Sequence, residues 1–160
     1  MRHPSRLFVV LTLFGAVLLG ACGGDDDAVV EPVVTTTTLP PSSELATARE
    51  QWEAQGLASY TFEFERRCFC PPAHYRVTVD DGVVTALEPL NPESPADAEP
   101  PVLSIEGLFD EIARATKVAT GPVQVTYDPI TGAPTEALID WILDAIDDEA
   151  GWVITNIQPA

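Results

Sequence analysis

From Tyr75 to Asp80 the chain alternates apolar and polar side chains as far as Asp81-Gly82, and a second strand, Val83 to Glu88, returns beyond that turn. No other stretch restricts the fold as much. Asp-Gly suits the two positive backbone angles of a type I′ turn, and alternation of period two is the mark of strands with one buried face. A two-residue loop sets Val79 opposite Val84 and Val77 opposite Ala86, apolar against apolar, and a slip of one residue would turn every one of them to the wrong face. Upstream, Tyr60, Phe62 and Phe64 alternate with Thr61, Glu63 and Glu65, so a third strand with an aromatic inner face precedes the hairpin.

Helical periods flank this strand group. Leu45, Ala48 and Trp52 share one face of a helix expected over 44–57, with Thr47 and Glu50 at capping-box spacing and Gly56 able to end it. Pro89, Pro92, Pro95, Pro100 and Pro101 exclude a regular element and make a surface loop. Ser104 then caps a second helix, whose Ile105, Leu108, Phe109, Ile112 and Ala115 recur at spacings of three and four, and in which Asp110 and Arg114 can pair across one turn. After Gly121-Pro122, Val123, Val125 and Tyr127 begin another strand, which Asp128-Pro129 and Gly132 turn back into Thr135, Ala137, Ile139 and Trp141. A last strand is expected from Trp152 to Ile157. Residues 139–146 read equally as a helix, with Ile139, Ile142, Leu143 and Ile146 on one face.

The order is therefore α-β-β-β-α-β-β-β. With no long parallel crossover demanded, the fold class is α+β, two helices packed on one face of a mainly antiparallel sheet of about six strands. The string Val77-Thr78-Val79-Asp80 with Thr85-Ala86-Leu87 is echoed by Val125-Thr126-Tyr127-Asp128 with Thr135-Glu136-Ala137-Leu138, a hint of duplication.

The first residues are of another kind. Arg2 and Arg6 precede an apolar run from Leu7 to Leu19 and the small residues Gly20 and Ala21, the layout of an export signal. That run is shorter than the roughly 20 residues a spanning helix needs. Leu19-Gly20-Ala21-Cys22 resembles the lipobox of bacterial lipoproteins. The resemblance implies that residues 1–21 are a signal peptide, that Cys22 carries the lipid, a palmitate-type acyl group included, and that the protein sits at the outer face of the cell membrane. The alternative is an ordinary signal peptide with a chance cysteine. Residues 22–43, with three aspartates, a run of threonines and several prolines, have too little apolar surface to repay ordering and read as a tether. Residues 44–160 are one domain. With the signal gone, six basic residues face all 25 acidic ones, a net charge of −19. Such a chain repels nucleic acid and anionic head groups, so nucleic acid is excluded as a partner and membrane attachment falls to the lipid alone.

Cys68-Phe69-Cys70-Pro71-Pro72 is the most unusual string in the domain. Strand alternation places both thiols on the face of Tyr60, Phe62 and Phe64. In an extended strand, side chains two apart lie roughly 6.6 Å apart, beyond the 3.8 Å or so a disulfide takes between Cβ atoms, so a bridge needs a local bend. Three readings stand: a structural disulfide, a redox pair activated if Arg66 and Arg67 point at the sulfurs, and a Zn²⁺ or Cu⁺ site formed with His74. The acids Asp140, Asp144, Asp147, Asp148 and Glu149 lack the spacing of a calcium loop and read as a solvated turn. No serine sits in a nucleophile elbow, no glycine-rich phosphate loop occurs, and nothing selects a carboxylate pair. No catalytic residue and no cofactor is assigned.

Trp52 ahead of Gly56 and Tyr60, Cys68-Phe69-Cys70-Pro71, Val77-Thr78-Val79 before Asp81-Gly82, and Leu108-Phe109 resemble an uncharacterised actinobacterial lipoprotein family of unknown function. Tyr127-Asp128, Gly132, Pro134-Thr135, Ile139-Asp140 and Asp147-Asp148-Glu149 extend the resemblance over most of residues 45–157. Ala133 stands where members are more often aromatic, and His74 is outside the pattern. The resemblance favours strand over helix before Asp147 and implies no activity. The leading expectation is a non-enzymatic module of the cell envelope that binds a protein or small ligand. The second is a thiol-redox or metal-handling lipoprotein using Cys68 and Cys70.

Overall fold

The computed structural model describes residues 41–71 and 73–160; the expected signal peptide, Cys22 and most of the expected tether lie outside the described residues. Two helices, α1 (Pro41–Glu53) and α2 (Ile105–Val118), accompany six strands, β1 (Tyr60–Cys68), β2 (His74–Asp80), β3 (Val83–Pro89), β4 (Val123–Tyr127), β5 (Pro134–Asp140) and β6 (Glu149–Pro159). The order is the expected α-β-β-β-α-β-β-β. The strands form one antiparallel sheet, β3-β2-β1-β6-β5-β4. Each half of the chain is thus a three-stranded meander, and the first and last strands join them in the middle.

The expected aromatic face is the core. Tyr60, Phe62 and Phe64 of β1, Tyr75, Val77 and Val79 of β2, and Ile139, Trp152 and Ile154 from the other meander are buried with Leu45, Ala48 and Trp52 of α1 and Ile105, Leu108, Phe109, Ile112 and Ala115 of α2. Each fully buried large side chain contributes about 1.5–3 kcal/mol. The opposite face is polar: Arg76 bridges Glu63 (3.8 Å) and Glu88 (3.0 Å) across three strands, and Arg67 pairs with Glu65 (3.2 Å).

Both helix boundaries have local causes. Ser104 Oγ accepts from the Gly107 N–H at 3.3 Å, the expected cap. Helix α1 starts at Pro41, not at Glu44, and Thr47 lies mid-helix, so its spacing to Glu50 marks no cap; proline suits a first helical position because no N–H is needed there. The last turn tightens, Gly56 N–H bonding the Glu53 carbonyl at 3.1 Å, and Gly56 takes a left-handed φ of 64°. Asp110 and Arg114 do not pair. Arg49 of α1 reaches Asp110 at 2.7 Å, and Arg114 turns to Glu111 at 2.6 Å.

The hairpin register holds for its first pair only. Asp80 opposes Val83 and Val79 opposes Val84, but Val77 meets Leu87 and not Ala86, because Thr85 bulges out of the ladder. The bulge lets Val84 and Leu87, three apart, both pack against the core. The β4–β5 hairpin bulges at Thr135 in the same way, Thr126 opposing Glu136 and Tyr127 opposing Pro134. Thr85 Oγ1 donates to the Thr78 carbonyl at 3.4 Å, and Thr135 Oγ1 to the Thr126 carbonyl at 3.2 Å. The sequence echo therefore marks a shared bulged hairpin. It does not mark equivalent places in the sheet, since β2 is an inner strand and its echo β4 an edge.

Residues 139–146 are not a helix. Strand β5 runs to Asp140, and Trp141 to Asp148 form a chain of turns in which Ile142, Leu143 and Ile146 are exposed. The apolar spacing that suggests a helical face has no surface to face.

Candidate functional site

At the end of the sheet where β1 starts, polar groups converge on Glu106, in the first turn of α2. Trp52 Nε1 donates to Glu106 Oε1 (2.8 Å), Tyr60 Oη donates to Oε2 (2.7 Å), and the Ile105 N–H donates to Tyr60 Oη (2.9 Å). Burial alone would push the Glu106 carboxyl up, but hydrogen bonds from Tyr60, Trp52, its own backbone N–H and Ser104 hold the acid below its ordinary range. Burial, then the bond to Glu106, pushes the Tyr60 phenol above its ordinary range. The three side chains come from α1, β1 and α2 and satisfy one another, which makes them a clasp rather than a reactive centre.

The other end is different. Strand β1 finishes there at Cys68, beside Ala150 of β6, and Asp140 of β5 pairs with Glu149. Two connections emerge from these neighbouring strands: the bend Phe69-Cys70-Pro71 and the turns Trp141–Asp148. Of the eight exposed large apolar side chains among the described residues, five lie at this end: Phe69, Val118, Ile142, Leu143 and Ile146. Phe69 is 84% exposed and Ile146 86%. Scattered single exposures are ordinary; here five of the eight fall at one end of the sheet.

Both loops are held by their own bonds. Cys68 and Cys70 stand at disulfide distance, their Cα atoms 5.2 Å apart, at the bend that a bridge between them requires. The neighbouring arginines are engaged elsewhere: Arg66 donates to the Glu99 (2.7 Å) and Pro100 carbonyls of the proline-rich loop, and Arg67 pairs with Glu65. The proline-rich loop, irregular as expected, is fastened further by the His74 N–H donating to Ser94 Oγ (2.8 Å) and Tyr75 Oη donating to the Pro95 carbonyl (2.8 Å). His74 opposes Glu65 in the register, one position along from the core pair Phe64 and Tyr75, and so sits on the polar face. Among the described residues no group of three metal-ligating side chains forms, with or without His74.

In the second loop the Ile142 N–H donates to Asp148 Oδ2 (2.6 Å), the Leu143 N–H to Thr120 Oγ1 (2.9 Å), and the Thr120 N–H to the Trp141 carbonyl (3.1 Å). These bonds tie the segment just after α2 to the Ile142-Leu143 tip. Arg114 lies over the Trp141 ring at 4.1 Å. Asp144 and Asp147 adopt left-handed φ values of 71° and 65°, angles aspartate tolerates. Burial first, then the nearby Asp148, Glu149 and Asp144 charges, push the Asp140 carboxyl up. The expected solvated turn is thus an ordered acidic loop with apolar tips.

No curated protein and no solved structure matches the chain. The model of a family of unknown function, DUF6174, matches residues 44–159, nearly the whole domain, and the chain belongs to that family.

Proposed function

We propose that this chain is a lipid-anchored module of the cell envelope, attached through Cys22 to the outer face of the membrane, that works by binding another protein and not by catalysis. The loop end of the sheet is its contact surface. One observation carries the reading: four large apolar side chains are exposed on two loops at one end of the sheet that the fold holds in place, with a fifth, Val118, at the end of α2. Ordering two loops with a bridge and a hydrogen-bonded turn, only to leave their apolar side chains in water, is unfavourable unless something covers them. Metabolic labelling with a palmitate analogue tests the anchor; label retained in Cys22→Ala refutes it. Capture from envelope extracts tests the surface, with Phe69→Ser and Ile146→Ser as the paired controls. A partner retained equally by wild type and both variants refutes the assigned surface.

Exposure of the Cys68–Cys70 pair favours a second reading, a thiol-redox role. Against it, neither Arg66 nor Arg67 is free to lower a thiol pKa. Intact mass with and without reductant, with the reduction potential, separates the two; a potential below about −300 mV makes the bridge structural.

A further inference from the structure

We infer that the partner presents an apolar depression edged by lysine or arginine. The inference rests on the binding reading above and adds the partner's chemistry. Every basic residue of the described chain precedes Val118; from there to Ala160 there is no lysine or arginine, against seven acids. Five of the seven, Asp140, Asp144, Asp147, Asp148 and Glu149, lie in or directly flank the loop that carries Ile142, Leu143 and Ile146. None of the five is in an ion pair among the described residues, whereas Glu63, Glu65 and Glu88 on the polar face of the first meander are paired and its turn acids Asp80 and Asp81 are not. The same loop therefore offers apolar tips to be covered and carboxylates with no countercharge of their own. A surface of that composition is complementary to an apolar hollow with a cationic rim, and it opposes an anionic one. It also opposes a membrane of anionic lipid as occupant, although the tips alone would suit one.

The test uses the full lipidated chain in detergent micelles and two amphipathic helical peptides with the same leucine face, one flanked by lysines and the other by glutamates. The lysine-flanked peptide is expected to bind at least tenfold more tightly at low salt, with the preference falling as salt is raised. A triple variant, Asp144→Asn, Asp147→Asn and Glu149→Gln, is expected to abolish the preference. Asparagine tolerates the left-handed backbone at 144 and 147, and Asp148 is left alone because it holds the Ile142 N–H. Neutralising three exposed acids elsewhere, Glu50, Glu53 and Asp97, should leave the preference in place, which separates a local effect from the charge of the whole molecule. Equal binding of the two peptides, or a preference lost equally in both triple variants, overturns the inference while leaving the binding reading standing. Peptide binding indifferent to Phe69→Ser and Ile146→Ser overturns the binding reading itself. Retention of Cys22→Ala on phosphatidylcholine vesicles through Phe69 and Ile146 would make the surface a membrane contact and overturn the inference.

Discussion

Where β1 begins, Trp52 and Tyr60 donate to one carboxylate, and the Ile105 N–H is spent on the Tyr60 hydroxyl. Where β1 finishes, hydrogen bonds fix the loops, but Phe69, Ile142, Leu143 and Ile146 stay in water and the acids stay unpaired. One end turns its polar groups inward to lock three elements together. The other turns its apolar groups outward and holds them still. Stability and the proposed recognition thus fall at opposite ends of a single sheet, so substitutions at each should report on different properties.

The largest effect is expected at Glu106. Glu106→Ala leaves the Tyr60 hydroxyl and the Trp52 N–H without their acceptor, at a cost of about 2–3 kcal/mol in urea unfolding. A loss within about 0.5 kcal/mol, the range of ordinary surface changes, would show that no clasp exists. Gly132→Ala comes next, at about 1–2 kcal/mol by thermal unfolding, since Gly132 has φ 77° and a Cβ there would fall on the Ala48 carbonyl of α1. An unchanged melting temperature would mean that α1 does not rest on this turn.

The pH response should separate the ends by sign. Glu106 is held below its ordinary range in the folded state. Its contribution is whole above the unfolded value of about 4.3 and is lost as pH falls through the folded value. Asp140 is raised. It detracts from stability at neutral pH, and the deficit disappears as pH falls through its folded value. Unfolding midpoints between about pH 3 and pH 7 should fall less steeply with acid in Glu106→Gln and more steeply in Asp140→Asn than in wild type. Parallel curves for all three would break the comparison. Smallest of all, Phe69→Ser and Ile146→Ser should each change stability by no more than about 0.5 kcal/mol while abolishing capture. Destabilisation beyond that would return these side chains to the core.

The elements were legible because period and punctuation agree: Asp81-Gly82 at the end of an alternating strand, Ser104 ahead of a regular apolar stripe. The bulge at Thr85 was not, since one residue added to a ladder leaves the alternation intact up to the point of insertion. Its only trace was the echo of Val-Thr-x-Asp and a later threonine, which points to a local hairpin shape and not to a repeated domain. Ile139 to Ile146 defeated periodicity because four apolar residues at helical spacing look alike whether or not a core lies beneath them. Glu106 gave no signal either: an acid in the first turn of a helix is what the helix dipole favours anyway, and its partners lie far away in sequence. Cys68 and Cys70 stood out at once, but not as the base of an exposed apolar tip, which depends on Ala150 lying alongside Cys68.

The pairing of β1 with β6 has a further consequence, for the order in which the molecule can come into being. The two meanders are each local, and each can begin to form as soon as it is made. Their junction joins the first strand to the last, so β1 must wait for its inner neighbour until nearly all of the described chain has been synthesised. During that interval one long edge of β1, its aromatic face half covered, is open to any other extended chain. Glu63, Glu65, Arg66 and Arg67 lie along that strand, and charges on an exposed edge disfavour pairing with another chain.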